Sequence, residues 1–149
     1  MGKFKTFISG AVLSLFFGVS PVSAELFGLS SFVLDNGMQV LVIPNHKAPI
    51  IKHMVWYKAG SVDEPRGKGG TAHLLEHLMF RGTRKVKDGV FNDLISRNGG
   101  ESNAFTSLDY TAYHQELDIS RLELAMFLEA DRMQNCLLYT SPSPRDYAA

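Results

Sequence analysis

Apolar and polar positions alternate in different ways along the chain, and each change of period marks an element. The first run, Phe7 to Val19, is apolar and uncharged behind Lys3 and Lys5. A basic lead, an apolar core and small residues after Pro21 predict a signal peptide over residues 1–24, cleaved after Ala24. The run falls short of the ~20 apolar residues a membrane-spanning helix needs, so no stable membrane anchor is expected. It also contains no arginine, unlike a mitochondrial presequence.

Residues 25–135 carry the pattern of a folded domain. "SSFVLDNGMQVLVIPN" has β-prone flanks around Asp35-Asn36-Gly37, a hairpin signal because Asn-Gly tolerates the positive φ of a tight turn. "PIIKHMVWYKAGS" is a second β-type run, closed by Gly60 and Ser61. Val90, Phe91, Leu94 and Ile95 fall at helical spacing and stop at Gly99-Gly100. "ESNAFTSLDYTAYHQEL", rich in Thr, Tyr and Phe, predicts one or two strands. "DISRLELAMFLEADRMQN" predicts a helix capped by Asp118 or Ser120, with Leu122, Ala125, Met126 and Met133 on one apolar face. Strands mixed with helices in this order predict an α+β, two-layer domain. Residues 136–149 break the pattern. "CLLYTSPSPRDYAA" has no period and two Ser-Pro steps, and reads either as a disordered terminus or as text foreign to the native gene.

Composition narrows the picture slightly. With 45% hydrophobic and 20% charged residues the chain suits one globular domain. Zero net charge gives no basic footprint for nucleic acid or an acidic membrane surface. Loss of Lys3 and Lys5 with the signal peptide leaves 13 basic against 15 acidic residues in an exported, periplasmic or secreted protein. Cys136 is the sole cysteine, so an internal disulfide is excluded and stability must come from packing or a metal.

The candidate chemistry lies in "GGTAHLLEHLMFRGT", residues 69–83. On a helix, His73 and His77 share one face with Cβ atoms about 5–6 Å apart, and two such imidazoles can reach one Zn²⁺ at about 2.0–2.1 Å. Glu76 stands beside them, where a carboxylate can take a proton from water acidified by the metal. Leu74, Leu75, Leu78, Met79 and Phe80 are expected to bury the helix. Two histidines alone arise by chance; with Glu76 they form His-x-x-Glu-His, a hydrolase pattern inverse to the commoner zinc-protease order. His46, His53 and His114 carry no assignment, and Glu101, Glu116, Glu123 and Glu129 are expected in solvated or structural roles.

The match extends beyond those five residues. "LDNGMQVLVIPN", "WYKAGSVDEPRGKGGTAHLLEHLMFRGT", "ISRNGGESNAFTSLDYTAYHQEL" and "LEADRMQN" follow one another between Phe32 and Asn135. In that order they resemble the N-terminal domain of the inverzincin metallopeptidases of family M16, which includes pitrilysin, insulin-degrading enzyme and the mitochondrial processing peptidases. The chain is similar to their bacterial processing-protease-like members. The resemblance implies a two-layer sandwich of a mixed, largely antiparallel sheet with helices on one face, incomplete in this chain. It implies one Zn²⁺ per complete active site, held by His73 and His77, with Glu76 as general base of peptide-bond hydrolysis. It aligns Asn103 and Ala104 with the edge strand that receives an extended peptide substrate. The implied third ligand is a glutamate on the order of 75 residues after His77, completing a three-ligand count. That position lies past Ala149, so the chain is expected to be an inactive N-terminal fragment of a zinc endopeptidase. The implied partners are a peptide or unfolded polypeptide and a homologous subunit. A non-catalytic, peptide-binding or partner-bracing subunit of the same family is the other reading, although such subunits have degraded metal motifs.

Overall fold

A computed structural model of the 149-residue chain describes residues 28–136. The expected signal peptide and residues 137–149 lie outside them. The chain divides into two units, Met1–Asn45 and His46–Ala149.

The described part of the first unit is the hairpin expected around Asn36-Gly37. Strand β1 (Ser30–Val33) pairs antiparallel with β2 (Gln39–Val42), Phe32 opposite Val40. The turn needs Gly37 at φ +83°, and Asn36 Oδ1 accepts from the Met38 N–H at 3.0 Å. Leu34 N–H donates to the Met38 carbonyl at 2.9 Å and Gly37 N–H to the Leu34 carbonyl at 2.8 Å, closing the loop.

The second unit is a three-stranded antiparallel sheet with helices. Its elements are β3 (Ile50–Tyr57), α1 (Thr71–Met79), α2 (Val90–Arg97), β4 (Glu101–Thr106), β5 (Thr111–Asp118) and α3 (Leu122–Asn135). The strand order is β3-β5-β4, so β5 is central. Every pairing among the described residues is antiparallel. Alternation along β5 turns Tyr113, Gln115 and Leu117 to one face, where all three are buried. Leu117 packs with Phe91 and Ile95 of α2 and Ala125 and Leu128 of α3; Tyr113 packs with Met79 of α1 and Cys136. All three helices therefore lie on one face, as the resemblance implied. The opposite face carries exposed Trp56 and Phe105 with ring centroids 5.9 Å apart, and Tyr110 lies 4.9 Å from Trp56.

Helix α3 departs from expectation. Met126 and Met133 are exposed, and the buried stripe runs through Ala125, Leu128, Glu129 and Arg132. The spacing is helical, but two of its four positions are charged. Their burial is compensated locally. Arg132 Nε donates to Glu129 Oε2 at 3.0 Å and Nη2 donates to Glu129 Oε1, while Gln115 Nε2 donates to that same Oε1 at 2.5 Å. The guanidinium also lies over three rings, 4.1 Å from Tyr113, 4.7 Å from Phe91 and 4.9 Å from Phe80. Burial pushes the Tyr113 phenol well above its ordinary range, with the Arg132 charge opposing the shift. Because Gln115 spends its amide on Glu129, its carbonyl faces His53 at 3.0 Å, and His53 Nδ1 must carry the proton. His53 is thus tied to the buried Gln115–Glu129–Arg132 network.

Beside this network, Asp131 accepts from Thr83 Oγ1 at 2.5 Å and from Asn135 Nδ2 at 2.8 Å. Thr83 belongs to the bend that follows α1. There Gly82 has φ +88°, and a Cβ would lie 2.5 Å from the Val86 carbonyl. Only glycine fits that bend.

Candidate functional site

The helix α1 is set by its own loop. Glu64, in the charged loop before it, folds back so that its carboxylate accepts from Gly70 N–H and Ala72 N–H, each at 2.8 Å. These are donors left open at a helix N-terminus, where a negative charge is also favoured by the helix dipole. Sequence reading missed Glu64; its only signal was an acid a few residues before a glycine-led helix start.

Along α1, the side chains separate by face. His73 and His77 are exposed with ring centroids 4.6 Å apart. Glu76 is 6% exposed, turned toward the sheet rather than toward solvent. Its Oε2 accepts from the Thr106 hydroxyl at 2.5 Å, and among the described residues Oε1 has no hydrogen-bond partner. Met79 is buried as expected, but Leu74 and Leu75 are 57% and 44% exposed, contrary to expectation. The reason is geometric: the helix meets the sheet along the side that carries Glu76 and Met79, and both leucines point off that side.

The strand that meets Glu76 is β4, an edge strand among the described residues because its sole partner is β5. Asn103 and Ala104 sit midway along it. Asn103 is exposed on the face away from the helices and its Oδ1 accepts from the Ala104 N–H at 2.8 Å. Ala104 lies on the helix face against the Met79–Tyr113 cluster. The arrangement thus joins His73, Glu76 and His77 to an open sheet edge, with Thr106 as the physical link. His114 pairs across from Asn103 and lines a polar recess at that edge with Ser102, Glu101 and Glu116.

The donors suit zinc, which takes imidazole nitrogen readily. Two neighbouring imidazoles on a solvent-facing helix surface can converge on one ion. Among the described residues no group of three His, Cys, Asp or Glu side chains could hold a metal. His73 and His77 therefore fit two of the three protein positions of a catalytic zinc.

Comparison with known proteins follows the same lines. The sequence profile of insulinase, peptidase family M16, matches residues 39–145. The zinc protease PqqE of Helicobacter pylori is 42% identical over 104 residues, covering 69% of this chain and 23% of that relative. A probable mitochondrial-processing peptidase subunit beta of Arabidopsis thaliana is 36% identical over 102 residues, covering 68% and 19%. The crystal structure of a protease from Helicobacter pylori superposes with a TM-score of 0.71 at 36% identity, over 80% of this chain and 28% of that one. The chain spans about a fifth to a quarter of the length of these curated relatives. With its profile match, its α+β fold and its His-x-x-Glu-His helix beside a sheet edge, the chain belongs to the insulinase family of peptidases, family M16.

Proposed function

We propose that the protein is a zinc-dependent endopeptidase whose centre is built on α1, with His73 and His77 as metal ligands and Glu76 as general base. The observation that carries this reading is the division of faces on α1. Both histidines point outward side by side, while Glu76 is held from behind by Thr106 and borders the open edge of β4. An intact His-x-x-Glu-His favours catalysis over a purely peptide-binding or bracing subunit.

Zinc, when bound, supplies Lewis-acid polarisation of a carbonyl and acidification of water. The protein's own residues do the rest. The open edge of β4, at Asn103 and Ala104, adds an extended peptide as a further strand once the peptide replaces the Asn103 side chain on the Ala104 N–H, which gives affinity with little demand on sequence. Glu76 Oε1, unpartnered among the described residues, accepts the proton of the attacking water and passes it to the departing amine. The third ligand comes from outside residues 28–136, since two imidazoles alone hold zinc far more weakly than a complete three-ligand site. The signal peptide directs the protein to the periplasm or the exterior, where peptides or unfolded polypeptides are its substrates. The likeness to a processing-peptidase subunit supports a homologous subunit as partner.

Metal content tests the ligand assignment. In the full-length protein, His73→Asn and His77→Asn should each lose bound zinc and peptide hydrolysis together. Retention of stoichiometric zinc by both variants would remove these residues from the site.

A further inference from the structure

We infer that Thr106 is a positioning residue, coupling the edge strand that receives the peptide to the carboxylate that acts on it. The inference rests on the proposed role of Glu76 and goes beyond it by naming what aims that side chain. Thr106 is the last residue of β4, and its position opposite Thr111 puts it on the same sheet face as Ala104, toward α1. Its hydroxyl donates to Glu76 Oε2 at 2.5 Å and is the sole hydrogen-bond partner of the Glu76 carboxylate among the described residues. The other carboxylate oxygen, Oε1, is thereby left for water. A buried carboxylate with a single donor has its orientation set by that donor. A misplacement of about 1 Å at such a group can lower a rate by about 10²-fold. One strand thus offers its open edge to the peptide around Asn103 and Ala104 and, two residues later, a side chain to the base.

The test compares Thr106→Val, which keeps volume and β-branching but removes the donor, with Thr106→Ser, which keeps the donor, in the full-length protein. Thr106→Val should lower kcat at least about tenfold with KM within about threefold, and Thr106→Ser should restore most of it. Zinc content should be unchanged in both. The affinity of an uncleaved peptide, measured by calorimetry in a Glu76→Gln background, should also be unchanged by Thr106→Val. If Thr106→Val does not fold, Thr106→Ala takes its place with the same expected loss. Full kcat in the variant lacking the hydroxyl, while Glu76→Gln is inactive, overturns the role of Thr106 alone. A weakened peptide affinity with kcat intact makes Thr106 a substrate-binding residue and also overturns it. If Glu76→Gln hydrolyses as fast as the parent, the base assignment fails and the role of Thr106 falls with it.

Discussion

Helices α1 and α3 both carry charged or titratable groups at helical spacing, yet they use them in opposite ways. On α3, Glu129 and Arg132 are 1% and 2% exposed, and each is surrounded by partners: Gln115, three aromatic rings and one another. On α1, the two histidines face solvent, and the one buried carboxylate has a single hydroxyl donor. The Glu129 carboxylate has donors on both oxygens, although Arg132 Nη1 has no hydrogen-bond partner among the described residues. Such a densely bonded buried network specifies one packing and resists change. A sparsely satisfied set leaves nitrogen and oxygen lone pairs available for other uses. Polar residues with most of their partners present build the fold; those with partners missing are the ones free to do chemistry.

This contrast can be broken at four points. The largest effect is expected at Arg132→Ala, which leaves the Glu129 carboxylate buried without its cation and should destabilise by about 3–5 kcal/mol in urea unfolding. A loss under 1 kcal/mol there would mean that the α3 network is ornamental. Next comes Gly82→Ala, at φ +88° with no room for a Cβ, where about 1–3 kcal/mol should be lost. It tests whether the bend after α1 is tied as firmly as α3. Glu64→Ala removes the acceptor of two N-terminal donors of α1 and should cost about 1 kcal/mol, read as earlier amide exchange at Gly70 and Ala72. The smallest effect belongs to His73→Asn in metal-free protein, expected within about 0.5 kcal/mol of the parent because the ring is exposed. A large loss at His73 would show that it is a structural residue after all.

The same contrast explains what could be read from the residue order. Local rules placed the hairpin at Asn36-Gly37, the helix stop at Gly99-Gly100 and the His73–His77 face, because each depends on neighbours within a few residues. The edge position of Asn103 and Ala104 followed from the family resemblance, and the strand order β3-β5-β4 agrees with it. Leu122, Ala125, Met126 and Met133 marked one face of α3, but in place of the two methionines the buried stripe takes in Glu129 and Arg132. Their burial depends on Gln115, Tyr113, Phe80 and Phe91, which only the fold brings to them. Thr106 escaped notice for a related reason: thirty positions separate it from Glu76, and nothing in "NAFTS" singles out one hydroxyl. Glu64 lies nearer, but its role depends on the loop folding back through Gly67 and Gly70, both at positive φ.

The central claim is that α1 supplies two ligands and a separate base, and Glu76→Gln in the full-length protein tests it most directly. Glutamine keeps the shape of the side chain but cannot accept the proton. Zinc content should stay at the parent level while hydrolysis of an unfolded polypeptide falls by about 10²–10⁴-fold, the usual contribution of a general base. Hydrolysis at the parent rate with zinc in place would contradict the account.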